Sequence, residues 1–442
     1  MARKQKKIQD YDWLYAFLRY YVDFALKLSY REIKYVGREF IPKDGAVIYA
    51  PNHTNALMDA LVILAIDHSP KVFVARADIF RNSTFAKILR FLKIMPIMRI
   101  RDGYEEVKKN NETIEKAVDV LRDRVPFCIF PEGTHQTKYS SLPLSKGIFR
   151  IAFAAQEMMP DMPLYVVPVG LRYGNFFRFR STVRVQIGEP INVGKFLAEH
   201  SDMAQGEVMN LMRDRLTENI HRSIFHIPND EDYDAIYEIC ATVVKRQVRR
   251  HKFEVDGKRL KGLDAHFEAN NRTVREVLRL KEEHPALAAE LLNTAREASE
   301  LRIKHNISLK SVSVKYTVVS RLLKVLFVLL TLPYTLPVSL LTLPIHLICR
   351  FLFSKLKDEA FRNSVRYLIT LVVWPLLMII YSIVAYCLLP WQWALPLTLL
   401  LLPAPIVAHE AWRAIRILIS DFKLLRNREL RDKYRRIKEM LH

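Results

Sequence analysis

Apolar residues recur along the first half of this chain with two alternating periods. "AVIYA" (46–50) is an unbroken apolar run of strand length, and "ALMDALVILAI" (56–66) after it has the length and spacing of a helix. The pair repeats as "KVFVAR" (71–76) and "FAKILRFLKIM" (85–95), then as a polar-faced helix over 104–123 followed by the strand "VPFCIF" (125–130). A helix over 147–158 and strands over 164–171 and 183–191 close the series. Alternation of this kind predicts an α/β fold, whose ligands gather at strand ends.

The flanks follow different rules. In "YDWLYAFLRYYVDFALKLSY" (11–30), Arg19, Asp23 and Lys27 recur every four residues. They share one helical stripe and leave a broad apolar face, suited either to covering a core or to lying in a bilayer surface. Residues 200–312 are charged and helical in period, without strand signals, and read as a soluble helical appendage. Residues 325–349 and 367–408 contain no Asp, Glu, Lys or Arg, and each exceeds the roughly 20 residues of a transmembrane helix. Pro333, Pro337 and Pro344 interrupt the first, and "PWQW" (390–393) marks a turn in the second. Basic residues cluster between them and again after Trp412. One re-entrant segment (325–349) followed by one two-span hairpin (367–408) keeps every basic stretch on one side of the bilayer. The expected organisation is an amphipathic helix over 1–30, an α/β domain over 31–205, the appendage over 206–312 and a membrane region with a basic tail over 313–442.

Charge and cysteine content narrow the partners. Among 442 residues, Lys and Arg outnumber Asp and Glu by 68 to 47, a net charge of +21. Such an excess suits nucleic acid, an anionic membrane or phosphorylated substrates. The apolar segments decide for the membrane, and no nucleic-acid-binding motif is present. The basic N-terminus is followed by no apolar core or cleavage site of a signal peptide. Cys128, Cys240, Cys349 and Cys387 show no paired spacing, which argues against a disulfide framework or zinc site. The expected location is therefore an integral membrane protein with its α/β domain on the cytoplasmic face, in a bacterial inner membrane rather than the endoplasmic reticulum.

Four stretches of the α/β region carry candidate chemistry: "NHTNALMDA" (52–60), "IMPIMRIRDG" (94–103), "FPEGTH" (130–135) and "VVPVGL" (166–171). Singly, each has an ordinary explanation: a histidine at a strand end is usually structural, and Pro-Glu-Gly is commonly a turn. A carboxylate one turn into an apolar helix is harder to dismiss, because burying it unpaired is costly. His53 is the nearest partner for Asp59, but six-residue spacing puts the two about 120° apart on an ideal helix. They meet only if His53 precedes the helix, with Thr54 or Asn55 as its cap. Glu132 and His135 copy a carboxylate–histidine metal spacing, yet Pro131 and Gly133 oppose the helix that motif needs, so no metal is expected. No G-x-S-x-G elbow, dinucleotide loop or Walker motif occurs.

In order and spacing, these four blocks resemble the glycerolipid acyltransferases, which acylate glycerol phosphate or lysophosphatidate. "YVGREFIP" upstream and "VQIGEPI" downstream resemble the family's flanks, so the resemblance covers about residues 10–205. There are two departures. The aspartate falls one position late, at Asp59, and the third block ends in His135 where arginine is usual. The resemblance implies an acyltransferase-type mixed sheet flanked by helices. It also implies transfer of a fatty acyl group from acyl-CoA or acyl carrier protein, as co-substrate and with no cofactor, to a hydroxyl of lysophosphatidate or glycerol 3-phosphate. His53 would be the general base and Asp59 its orienting partner. Arg99, Arg101 and Lys146 would grip the acceptor phosphate. Glu132, Gly133 and Thr134 would form the turn, with Gly133 letting backbone N–H groups approach the ligand. The partners implied are membrane lipids, an acyl thioester and a phosphorylated glycerol. The alternative is a catalytically degenerate, membrane-bound lipid-binding or scaffold protein.

Overall fold

A computed structural model describes residues 7–97, 110–255, 257–313 and 318–441. The chain forms two compact units: one runs through Ile224 and takes in Lys357–Ser364, and the other comprises Phe225–Leu356 and Val365–His442.

The first unit is built on an eight-stranded mixed sheet. Its strands are β1 (Tyr30–Val36), β2 (Ala46–Pro51), β3 (Val72–Arg76), β4 (Ile94–Ile97), β5 (Phe127–Cys128), β6 (Leu164–Tyr173), β7 (Ser181–Ile187) and β8 (Ile191–Asn192). They lie in the order β1-β7-β6-β2-β5-β3-β4, with β8 beside β6. The inner strands β6, β2, β5 and β3 run parallel, and β7 and β8 pair antiparallel with β6. Every residue of β2 is buried, which explains why it reads as continuous apolar sequence: a parallel strand has both faces covered. Over it pack α4 (Asn110–Arg122) and α5 (Gly147–Met158), bringing Leu121, Phe149 and Ala152 against Ile48, Phe127 and Val166. Each large apolar side chain buried in this way contributes roughly 1.5–3 kcal/mol.

Several boundaries move. Pairing with β7 makes residues 30–36 a strand, although their sequence shows no clear alternation. The expected helix over 85–95 becomes α3 (Ser83–Phe91), and Ile94 and Met95 pass into β4. The strand over 125–130 keeps only Phe127 and Cys128. The helix Gln205–Ser223 packs on β6 and α5, with Met212, Leu216 and Ile220 fully buried, so this unit ends at Ile224 rather than near residue 205.

The N-terminal helix α1 (Trp13–Ser29), capped by Asp12, turns Arg19 and Asp23 of its polar stripe inward and leaves Lys27 exposed. Arg19 and Asp23 are buried as an ion pair, and the Arg19 guanidinium donates to the carbonyls of Leu64 (2.5 Å) and Asp67 (3.0 Å). This places a cation on the C-terminal carbonyls of α2 (Leu57–Leu64), where the helix dipole favours it. Trp13, Phe17, Tyr20 and Phe24 are left exposed. The apolar face is the outer one, as on a helix that lies in a bilayer surface.

In the second unit, the helices Tyr233–Arg250, Gly262–Glu283, Pro285–Lys304 and Arg428–Met440 pack together. Glu238 is buried at their centre, paired with Arg302 and accepting from the Tyr434 hydroxyl. A short hairpin, Glu254–Val255 with Lys258–Arg259, is the only strand pair among the unit's described residues. Val318–Leu341 and Phe361–Leu388 are each long and apolar enough to cross a membrane, and Trp391–Leu401 with Ala404–Arg426 is a pair bent by 56°. Pro333 and Pro337 lie inside a continuous helix; the chain breaks at Thr342, with Pro344 opening the short helix Leu343–Phe353. The expected break at the first two prolines is therefore corrected. A transmembrane helix can absorb the lost N–H bond through local adjustment and neighbouring groups.

Candidate active site

Because β2 and β5 are parallel, their carboxyl ends emerge on the same edge of the sheet, β2 leading into His53 and β5 into the Pro131–Glu132–Gly133 turn. Asn52 continues the sheet past Pro51: its amide donates to the Leu171 carbonyl and its Oδ1 accepts from the Leu171 N–H at 2.6 Å. The chain then turns sharply through Ala56, at φ 46°, before α2 begins at Leu57. Neither Thr54 nor Asn55 caps the helix. Ala56 holds the cap position without a side-chain bond.

Asp59 is fully buried and accepts four hydrogen bonds. Its Oδ2 receives His53 Nδ1 (2.8 Å) and the backbone N–H groups of Thr54 and Asn55 (both 2.7 Å), while Oδ1 receives the Tyr173 hydroxyl (2.7 Å). The turn at Ala56 thus brings together two residues that a continuous helix would hold apart. It absorbs the one-residue delay of the aspartate, and Met58 falls into the core instead. Tyr173 was not foreseen. It stands at the end of β6, 114 residues from Asp59 in sequence, and only the demand of a buried carboxylate for partners hints at it. Burial, with Asp59 beside it, pushes the Tyr173 phenol well above its ordinary value, so it donates as a neutral hydroxyl.

The imidazole of His53 lies against Phe130, with ring centroids 4.1 Å apart, and the edge of His135 meets it at 5.2 Å. With Nδ1 held by a carboxylate, Nε2 is the ring nitrogen able to take a proton from a bound hydroxyl.

Glu132 is buried, and neither carboxyl oxygen has a hydrogen-bond partner. Burial raises its pKa to about 8, with the nearby Asp59 adding to the effect. Glu132 therefore binds more protons in the folded chain than in the unfolded one between pH 4.5 and about 8. Stability falls as pH rises through that window and levels above it. Glu132→Gln should flatten this slope, which thermal unfolding of both proteins from pH 5 to pH 8.5 would show; identical slopes would contradict the assignment.

Gly133 has φ +66°, the left-handed region that glycine tolerates best. Its own N–H is spent on the Phe130 carbonyl at 3.1 Å, so this glycine serves the turn and not, through its own amide, a ligand. Thr134 is exposed, and Lys146 is an exposed residue at the N-terminus of α5. Arg99 and Arg101 lie outside the described residues. Among the described residues no group of three or more His, Cys, Asp or Glu is gathered as around a metal ion.

Residues 32–172 match the acyltransferase family. Over 304 residues the chain is 28% identical to glycerol-3-phosphate O-acyltransferase 2 of Saccharomyces cerevisiae, covering 63% of this chain and 39% of that protein. Over 69 residues it is 36% identical to glycerol-3-phosphate O-acyltransferase 1 of the same yeast, covering 16% of this chain and 9% of the relative. The chain thus spans well under half the length of these curated relatives. Among solved structures, it is similar to the 1-acyl-sn-glycerophosphate acyltransferase of Thermotoga maritima, at 21% identity and a TM-score of 0.34, covering 47% of this chain and 77% of that one.

Proposed function

We propose that this protein is a glycerolipid O-acyltransferase that transfers a fatty acyl group from a thioester, acyl-CoA or acyl carrier protein, to a hydroxyl of glycerol 3-phosphate or lysophosphatidate, in phosphatidic acid and phospholipid synthesis. The observation that carries this reading is the His53–Asp59 pair at the carboxyl ends of the central strands, inside the region that matches the acyltransferase family. His53 Nε2 takes the proton of the acceptor hydroxyl as its oxygen attacks the thioester carbonyl. Asp59 fixes the tautomer and stabilises the imidazolium that forms. The tetrahedral adduct then collapses, the C–S bond breaks, and the thiolate leaves with the proton held by His53. Cys128 is fully buried within the sheet, and burial pushes its thiol far up, so it serves as core and not as an acyl carrier. Arg99, Arg101 and Lys146 supply the cations for the acceptor phosphate, guanidinium being the better match to it. Thr134 sits in the same turn as Glu132. Release of free thiol from each donor against a panel of phosphorylated and unphosphorylated glycerol acceptors would identify both substrates; release that no phosphorylated acceptor accelerates would exclude the reading.

A membrane setting fits this chemistry, since one substrate or product is a lipid. Two anchor points support a topology with the catalytic domain, loop and tail on one side, the cytoplasmic one. Lys357–Ser364 belongs to the α/β unit, and Arg428–Met440 packs on the helical appendage, with Arg436 on Glu290 and Tyr434 on Glu238. The chain from Val318 to Phe353 must then enter and return, and only 361–388 with the bent pair after it crosses and comes back. In a background lacking Cys387, cysteines at Lys355 and Arg428 should label from the cytoplasmic side and one at Gln392 from the far side. Labelling of Lys355→Cys from outside would refute this topology.

A further inference from the structure

The carboxyl-end edge of the sheet has a fourth wall that comes from far along the chain. Lys357–Ser364, between the apolar helices ending at Phe353 and beginning at Phe361, is part of the α/β unit. The segment is held firmly: Ala360, Asn363 and Ser364 are buried. Asp358 serves two partners at once, its Oδ1 accepting the Ala360 N–H at 2.9 Å and its Oδ2 meeting His135 Nε2 at 2.9 Å. Phe361 sets its ring perpendicular to His135, centroids 5.1 Å apart. Successive ring contacts thus link Phe130 to His53, His53 to His135 and His135 to Phe361, stacked at the first and T-shaped at the other two. The backbone closes the same arrangement, because Gln136, next to His135, donates its N–H to the His53 carbonyl at 3.2 Å.

We propose that Asp358 is a positioning residue of the acyl transfer, anchoring His135 so that its ring contact helps hold the His53 imidazole in place. This rests on the acyltransferase reading for its kinetic consequence, but the contact itself does not. Asp59 fixes one nitrogen of His53, and it leaves the ring free to tilt about that bond. Phe130 and His135 both touch that ring and together restrict its tilt. Nothing within the motif turn holds His135 itself in this orientation; a carboxylate on its Nε2 does, as an orienting partner commonly does for a histidine. The segment that supplies it is 223 residues away in sequence. Removing the chain beyond the appendage therefore takes this anchor away, and should slow transfer even with water-soluble substrates.

The test uses the full chain in detergent. Asp358→Ala should lower kcat about tenfold while leaving KM for donor and acceptor within twofold, because a tilted base costs rate and not ground-state binding. Asp358→Asn, whose one oxygen can still accept from Nε2–H at the expense of the Ala360 N–H, should retain more activity than Asp358→Ala. His135→Phe keeps the ring contacts without needing the anchor, so adding Asp358→Ala to it should cost nothing more. Carbethoxylation by diethyl pyrocarbonate, read by mass spectrometry at His53 and His135, gives a second readout: Asp358→Ala should speed both at least fivefold. An unchanged kcat, a loss confined to acceptor KM, or a further loss in the His135→Phe background would overturn the proposal. If the wild type consumes no thioester with any acceptor, the acyltransferase reading fails instead. Carbethoxylation then decides the positioning on its own: faster modification at both histidines sustains it, and unchanged rates overturn it.

Discussion

His53→Ala should reduce acyl transfer by about 10²–10⁴-fold, the usual cost of losing a general base, while the protein stays folded and membrane-bound. The imidazole is partly exposed, at 17%, and makes its hydrogen bond through one nitrogen. Removing it opens little of the core. The loss should fall on kcat and kcat/KM together, since the proton is transferred only in the transition state. Parallel measurements of rate and thermal midpoint separate the two effects. A variant that loses its activity by unfolding would leave the role of His53 undefined, so the midpoint must remain near that of wild type for the result to count. Activity retained to within a few fold would remove His53 from the chemistry.

Asp59→Asn should cost at least roughly 10²-fold in rate, and unlike His53→Ala it should also cost stability. Four donors converge on this carboxylate: the His53 ring, two backbone N–H groups and the Tyr173 hydroxyl. An asparagine has one acceptor oxygen where the carboxylate has two, and its NH2 would face groups that also donate. Hydrogen bonds to a charged group contribute about 1.5–3 kcal/mol each, so the loop from Thr54 to Ala56 loses its main support. A lower thermal midpoint together with lost activity is the expected pair. Asp59→Asn with near wild-type rate would make the late aspartate a purely structural residue.

Much of this was legible in the sequence, and the reasons for the rest are physical. The strands 46–50, 71–76 and 164–171 and the helix 147–158 read directly, because continuous apolar runs and an amphipathic turn have few alternative uses. The pairing of His53 with Asp59 depended on a condition that spacing alone cannot decide, namely where the helix starts. The positive φ of Ala56 settles it, and no residue type announces that conformation, since alanine is not expected there. Tyr173 and Asp358 were invisible because both reach the site through tertiary contact from distant segments. In the N-terminal helix, spacing gives the charged stripe of Arg19, Asp23 and Lys27 and the broad apolar face beside it, but not which side faces inward. Arg19 turned in because the carbonyls of Leu64 and Asp67 offered partners. The domain boundary moved to Ile224 because a charged helix can still bury one narrow face, as Gln205–Ser223 does on β6.

The central claim is that His53, oriented by Asp59, serves as the base for acyl transfer to a phosphorylated glycerol. The most direct test is acceptor-dependent thiol release from acyl-CoA by the purified full chain with glycerol 3-phosphate, run for wild type and His53→Ala side by side, with product identified by mass. Wild type should release thiol only with acceptor present, one acylglycerol phosphate per thiol, and His53→Ala should be slower by at least about 10²-fold. Thiol release independent of acceptor, or equal in the two proteins, would contradict that claim.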